Sequence, residues 1–488
     1  MSEAIKIKFL SKNNPYTKIL LISSNLFLNT VILVLAIYIK PIVFENWLFP
    51  FTILSLIQLF INLLTITKLE KSFLSLTNLF LIFSYITHLG ILVIFGFDIE
   101  VELPWNPLLS LTKDSYKEAC YFAVFCHAFL TFGMCIILFK RKTYKISAAT
   151  SSIKNKDIQL YLIRSIGIML IIIGIIPMLY IDISRVILYI TGDYLDTYKV
   201  GVGGFMIIIS RFTEIGAIML LIGNHENKKK AIFIILIIVI YQSIIMFTGN
   251  RGRPIMFLIT IFFIYYNFIK KVGFKQFINT TILIYIVGFL LTFIGQIRML
   301  SINDIGTFVE TFKKSFFEFS IFKILAEFGS TIVSLGFSLE LFPEARSFQL
   351  GTNYLVSLLT IFPNLGGILT PVMEKAVFVY NWPQSTRSFL GGSYLGELYY
   401  SFGDFSFVFV ILIGMFIAFV SNKIKMYIAQ QNYVLLSVYL ILFPSLLWWT
   451  RDYFVSMVRE FVWIAVVILI LYYLIGSKLP KSKGRGEN

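Results

Sequence analysis

The chain alternates long apolar runs with short polar connections along most of its length. A bilayer crossing needs about 20 mainly apolar residues, and twelve runs approach or exceed that length. We predict spans at 19–39, 47–66, 76–95, 120–139, 160–180, 203–221, 231–247, 254–269, 277–297, 394–420, 434–449 and 454–474. A spanning segment must bond its own backbone, and the alternating ten-residue segments of a barrel are absent. The predicted fold is therefore an all-α polytopic membrane protein with about twelve transmembrane helices.

Composition agrees with this pattern. Hydrophobic residues make up 58% of the 488 positions and charged residues only 14%, and the mean hydropathy is +0.83. These values exclude a soluble globular domain. The three cysteines, Cys120, Cys126 and Cys135, fall in one apolar run without metal-type or redox-type spacing, so we interpret them as packing residues.

Basic residues predict which side of the membrane each connection faces. The connections that alternate to one side hold 24 of the 42 Lys and Arg residues but only five of the 26 acidic ones. Loops rich in Lys and Arg are retained in the cytoplasm, so both termini are expected there. The net charge of +16 is then a topology signal and gives no reason to expect a nucleic-acid partner.

Arginine is distributed differently from lysine. Of the twelve arginines, ten lie within predicted spans or on the predicted outer side, which retention in the cytoplasm does not explain. Arginine grips phosphate bidentately and stays charged when partly desolvated. The bias favours a phosphate site at the outer face.

One connection, 298–392, is far longer than the others and is predicted to lie outside. It divides the chain into a membrane domain at 1–297, an outer loop subdomain at 298–392, and a membrane domain with a basic tail at 393–488. Phenylalanines at 308, 312, 316 and 319 are spaced as on one helix face. We therefore expect helices over 305–342 that pack on the outer surface.

The segment TGNRGRP at 248–254 places Arg251 and Arg253 among glycines between two spans. Glycine lets a backbone approach a ligand closely, and two guanidinium groups could grip a diphosphate. The alternative is an exposed turn whose arginines reach lipid headgroups. In both cases the turn is expected to carry little of the fold.

Two charged pairs fall inside predicted spans. Arg211 and Glu214 are three residues apart and share a helix face, so they can form an ion pair. Arg459 and Glu460 are adjacent, so they point apart and each needs its own partner. Charges at such positions indicate either a site or an ion pair that fixes helix packing.

The segment GGSYLGELYYSFGD at 391–404 opens the span after the long connection. On a continuous helix, Ser393, Glu397, Tyr400 and Asp404 would form one polar stripe. Burial could make Glu397 a usable base, or the carboxylate could simply pair with a buried arginine. No metal-binding, Walker or dinucleotide motif occurs, so neither a metal nor a cofactor is predicted.

These motifs resemble the Wzy-type O-antigen and oligosaccharide repeat-unit polymerases of bacterial plasma membranes. The resemblance rests on the segments at 391–404 and 248–254, together with 327–330 and 351–354. It implies a metal-independent glycosyltransferase with a GT-C-like fold in the bacterial inner membrane. The implied substrate is an undecaprenyl-diphosphate-linked oligosaccharide in the outer leaflet, and a chain-length regulator protein stays open as a further partner.

The residues are assigned to roles accordingly. The predicted base is Glu397, and the predicted sugar-binding residues are Tyr380, Trp382 and Tyr400. The predicted diphosphate-binding residues are Arg211, Arg251, Arg253, Arg298, Arg387, Arg451 and Arg459. Two alternatives remain: a flippase or transporter for lipid-linked sugar, whose path would be lined by buried charges, and an O-antigen ligase, which would share substrate and fold.

Overall fold

The computed structural model describes residues 15–140 except 104, 153–191, 200–246 except 202, 252–269, 289, 293, 306, 309–313, 321–362, 364, 367–373, 376 and 391–476. All regular elements among these residues are helices: two short 3-10 helices at Pro107–Leu109 and Gly403–Phe405, a π-helical turn at Tyr265–Ile269, and the α-helices. They are α1 Pro15–Ile39, α2 Phe44–Glu70, α3 Leu76–Gly96, α4 Lys113–Phe139, α5 Ile153–Thr191, α6 Gly204–Gly223, α7 Lys228–Met246, α8 Gly252–Ile264, α9 Ile321–Gly329, α10 Ile332–Leu341, α11 Thr352–Leu359, α12 Thr370–Met373, α13 Tyr394–Phe402, α14 Ser406–Gln430, α15 Tyr433–Trp449 and α16 Phe454–Gly476.

Within this part of the chain, eleven helical stretches are long and apolar enough to cross a membrane. Ten of them coincide with predicted spans, which confirms a polytopic all-helical protein. The predicted span at 434–449 is the shorter helix α15, and the predicted span at 277–297 lies outside the described residues except for 289 and 293. The eleventh stretch, Phe322–Leu341, falls in the segment predicted to be an outer loop.

Helices α9 and α10 pack among the spanning helices rather than upon their outer surface. A Cβ placed on Gly90 of α3 would come within 2.9 Å of the Leu325 carbonyl oxygen, and one on Gly329 would come within 2.7 Å of the Ile91 nitrogen. Only glycine permits such an approach of two backbones. The structure therefore differs from the expected surface helices for 321–341, because this stretch is long and apolar enough to cross a membrane and packs closely against α3. The bounds of the outer segment, 298–392, stay a prediction.

Glycine also allows α5 and α6 to pack closely against each other. Gly167 of α5 and Gly216 of α6 face each other, and their added Cβ atoms would meet the opposite carbonyl oxygens at 2.9 and 2.6 Å. The two helices therefore form a tightly packed pair. The same two helices carry Asp182 and Arg211.

The predicted continuous helix over 394–420 is broken. Helix α13 ends at Phe402, a 3-10 turn spans Gly403–Phe405, and α14 begins at Ser406. Gly403 has φ +55°, and a Cβ there would lie 2.6 Å from the Phe348 ring. Glycine is required by both conditions.

Candidate functional site

Charged residues from three helices meet at Glu214. Arg211 Nη1 lies 2.9 Å from Glu214 Oε1, as predicted for this pair, and Arg253 Nε lies 3.9 Å from Glu214 Oε2. Arg253 also donates to Glu460 through Nη2. Two predicted diphosphate-binding arginines are thus brought together, and both already have carboxylate partners.

The cluster continues onto α5 and α7. Asp182 accepts a hydrogen bond from Tyr241 and pairs with Arg185 at 3.5 Å. The sequence analysis did not single out Asp182 or Tyr241. The spacing of three between Asp182 and Arg185 on a helix was a usable signal, whereas the contact with Tyr241 joins positions 59 apart.

Two cavities meet at Glu214 and Arg253. One extends toward Asp182 and Tyr241. The other extends toward Asp452. The cluster therefore lies on the walls of two narrow cavities between the helices.

The described charges in these walls nearly cancel. Three guanidinium groups, those of Arg185, Arg211 and Arg253, face four carboxylates. The carboxylates belong to Asp182, Glu214, Asp452 and Glu460. A diphosphate held by Arg211 or Arg253 would have to compete with these carboxylates, because an ion pair satisfies the same donors. The segment 248–254 was expected to be an exposed turn that carries little of the fold. For Arg253 this is wrong, because the residue lies on the first turn of α8 and pairs with Glu460.

Arg459 is arranged differently. It forms no ion pair with any residue that the structure describes, and its Nε is buried without a hydrogen-bond partner there. Its guanidinium lies against the start of α6, where a Cβ on Gly204 would come within 2.9 Å of Nη1. Helix α6 begins at Gly204, and its N-cap residue, Gly203, provides no side-chain cap. A guanidinium beside the positive end of a helix suits a bound anion.

The other predicted arginines fall into two groups. The Arg451 guanidinium stacks on the rings of Phe328 and Trp448, with distances of 5.0 and 5.4 Å to the ring centroids. Arg251, Arg298 and Arg387 lie outside the described residues. Their part in the site stays a prediction.

Glu397 is fully buried, with 0% of its surface exposed. Its Oε1 accepts from Asn353 Nδ2 at 3.2 Å and its Oε2 from the Phe454 backbone nitrogen at 3.0 Å. Within the described part of the chain it forms no ion pair, so the alternative of a buried arginine partner finds no support there. It lines neither of the two cavities.

The predicted polar stripe on this helix does not form. Ser393 is the N-cap, accepting from the Gly396 nitrogen at 3.1 Å, and Asp404 lies beyond the end of α13 and is exposed. Tyr400 is only 1% exposed and packs edge-on against Phe342. A sugar could contact Tyr400 only if that packing opened. Tyr380 and Trp382 lie outside the described residues.

Asp452 lines the second cavity, together with the carboxylates of Glu214 and Glu460. It lies in the loop between α15 and α16, and its Oδ1 accepts from the Tyr453 nitrogen at 2.8 Å. Burial raises the pKa of Asp452, while hydrogen bonds from Tyr453 and Ser456 act in the opposite direction. Arg253 lines the same cavity.

Two histidines that are distant in sequence are connected inside the bundle. Ser84 is within 2.8 Å of both His127 Nε2 and the Tyr394 hydroxyl, and His88 Nε2 is within 2.9 Å of Ser393 Oγ. The spacing of four between Ser84 and His88 was visible in the sequence, but their partners were not. Among the described residues, no three His, Cys, Asp or Glu side chains group as metal ligands would.

Comparison with known proteins gives one match. A family model described as O-antigen polysaccharide polymerase Wzy matches residues 25–483, nearly the whole chain. No curated protein and no solved structure matches the chain.

Proposed function

Because the chain belongs to the Wzy family of O-antigen polysaccharide polymerases, we propose that it joins diphosphate-linked oligosaccharide repeat units at the outer leaflet. The family match over residues 25–483 carries this proposal. The Arg459 guanidinium supports it, since it forms no ion pair with any described residue and a lipid diphosphate needs cationic groups within reach of the membrane. Undecaprenyl diphosphate is the lipid carrier we propose.

The reaction transfers the growing glycan from its lipid carrier to the next repeat unit. A hydroxyl of the incoming unit attacks the anomeric carbon of the donor, and the lipid diphosphate departs. Hydrogen-bond donors and positive charge placed at the departing phosphate stabilise the charge that develops there. We assign this role first to Arg459 and the start of α6, since Arg211 and Arg253 already hold carboxylates.

The charge pattern supports an outer location. Asp452 and Gly252 both stand at helix ends that the positive-inside count places outside the cytoplasm. At the opposite end, Lys156 of α5 pairs with Glu226 between α6 and α7, within the predicted cytoplasmic connections. The cavity that contains Asp452 therefore opens on the proposed outer half, in the bacterial inner membrane.

Elongation by the purified protein in detergent micelles tests the proposal. A micelle has no two leaflets, so a flippase would yield no new covalent product there. If lipid-linked repeat units are the only sugars present, longer lipid-linked oligomers identify a polymerase, because a ligase would lack its acceptor. Unchanged substrate after incubation with folded wild-type protein would reject the proposal.

A matched pair of variants connects the assay with the site. Arg459→Ala should abolish elongation, whereas Arg164→Ala should retain it. Arg164 is also a partly buried intrahelical arginine, donating to the Leu160 carbonyl at 3.0 Å, but it lies against Gly223, at the other end of α6 from Gly204 and Arg459. Equal loss in both variants would show a general effect of removing a membrane arginine.

A further inference from the structure

Glu397 is placed to hold a helix end. Phe454 is the first residue of α16, and its backbone N–H is one of the donors that an α-helix cannot satisfy internally. Glu397 Oε2 accepts from it at 3.0 Å across 57 positions of sequence. The other oxygen, Oε1, is occupied by Asn353. Both oxygens are thus engaged, and the side chain has no exposed surface for a substrate.

Asp452 differs from Glu397 in its access to space between the helices. It lies two residues before the helix end that Glu397 caps, and it lines the same cavity as Arg253 and Trp448. Its carboxylate also accepts hydrogen bonds, from the Tyr453 backbone, Ser456 and Trp448. Beside a guanidinium and an indole in this cavity, the carboxylate is placed to take the proton of a sugar hydroxyl that enters it.

The two carboxylates are mechanically connected. Gly392, just before α13, packs against the Asp452 backbone so tightly that an added Cβ would lie 2.5 Å from the Asp452 carbonyl carbon. The Glu397 hydrogen bond then fixes the next residues of the same loop. Movement of α13 would therefore displace Asp452 within the cavity.

We propose that Asp452 is the general base of the polymerisation and that Glu397 is a positioning residue that holds the Asp452 loop. This inference rests on the proposed function. The Asp452 carboxylate takes the proton of the acceptor hydroxyl, whose oxygen forms the new bond to the anomeric carbon. The bond from that carbon to the diphosphate oxygen breaks, and its electron pair leaves on the diphosphate. Asp452 then releases the proton to solvent.

The surroundings of Asp452 determine the sign of the pH dependence. Burial raises the pKa of Asp452 most, while hydrogen bonds from Tyr453, Ser456 and Trp448 and the charge of Arg253 lower it. Two further carboxylates, those of Glu214 and Glu460, line the same cavity. A base acts only when deprotonated. Activity should thus fall as the pH drops through a value above the ordinary aspartate pKa of about 3.9.

The test measures elongation by purified protein in detergent, with a lipid-linked repeat unit as the probe. Asp452→Asn should lose at least about 100-fold in turnover while binding of the same probe changes less than about threefold. The amide oxygen of Glu397→Gln can still accept from Phe454. This variant should keep measurable turnover, but the pH at which its activity falls to half on the acid side should shift. Asp114→Asn, an exposed aspartate at the start of α4, is the matched control and should behave as wild type.

The outcomes separate the two proposals. If wild-type protein elongates nothing, the proposed function fails and this inference fails with it. If wild type and Asp452→Asn elongate equally, only the inference is overturned. If folded Glu397→Gln loses all turnover while Asp452→Asn remains active, Glu397 is the base and Asp452 is not. If Asp452→Asn does not fold, Asp452→Glu is tested instead. It should retain turnover, and its activity should still fall at low pH. A wild-type activity that does not fall at low pH would reject Asp452 as the base.

Discussion

Arg253 and Glu460 form an ion pair that joins the first turn of α8 to α16 across 207 positions of sequence. The Arg253 side chain is 26% exposed and that of Glu460 13% exposed, so both charges are largely removed from water. Glu214 approaches Arg253 from a third helix. The pair therefore connects the two cavities and fixes their common wall.

Removing one partner of this pair should destabilise the protein. Glu460→Ala leaves a partly buried guanidinium whose remaining ion pair among the described residues is the 3.9 Å contact with Glu214. Breaking a fully buried pair costs about 3–5 kcal/mol, and residual exposure should reduce this cost. We expect a lower thermal unfolding midpoint in detergent for Glu460→Ala and for Arg253→Ala.

The double variant Arg253→Met with Glu460→Met is the control, since it removes both charges and keeps apolar volume. Its unfolding midpoint should exceed that of either alanine variant. Midpoints equal to wild type in both single variants would show that the pair contributes nothing to stability. Elongation measured on the same samples separates stability from substrate binding.

Most of the helical architecture could be predicted because it depends on local apolar runs. Helices α1, α3 and α4, for example, end at Ile39, Gly96 and Phe139, at or within one residue of the predicted ends 39, 95 and 139. The helix break at Gly403 was missed although Gly403 and Asp404 form a turn signal, because the apolar pattern continues on both sides of it.

The candidate site was predictable only where its contacts are local. Arg211 and Glu214 are three residues apart, and their ion pair is confirmed. The side chains of Arg459 and Glu460 were expected to need separate partners, and Glu460 has one in Arg253. That this partner is Arg253, rather than a ligand, depends on helix packing that no local pattern records.

Topology can be tested with single cysteines. The native Cys120, Cys126 and Cys135 are buried, so an introduced thiol should dominate labelling. A cysteine at Asn227, between α6 and α7, should react with an impermeant maleimide only from the cytoplasmic side, and one at Asp114 only from the outer side. The reverse pattern in intact cells would invert the topology and move both cavities to the other half of the membrane.

The contact of His88 with Ser393 makes a stability prediction for α13. Ser393 caps the Gly396 nitrogen and lies 2.9 Å from His88 Nε2. Ser393→Ala should lose about 1 kcal/mol for the cap and leave a buried imidazole nitrogen without this partner. A fall in the thermal unfolding midpoint checks it. Thr30→Ala, which removes only a hydroxyl bonded within its own exposed helix segment, should leave the midpoint nearly unchanged.

The last prediction concerns anion binding at Arg459. Its guanidinium lies beside Gly204 at the positive end of α6, and no carboxylate among the described residues pairs with it. Diphosphate should therefore protect wild-type protein against thermal unfolding, because a ligand that binds only the folded state raises its stability. Arg459→Ala should abolish the protection, and Arg459→Lys should restore part of it, since a point charge cannot reproduce the planar fork. Arg164→Ala should keep the full shift. If Arg459→Ala is protected as strongly as wild type, the anion is bound elsewhere, and Arg451 becomes the next described arginine to test.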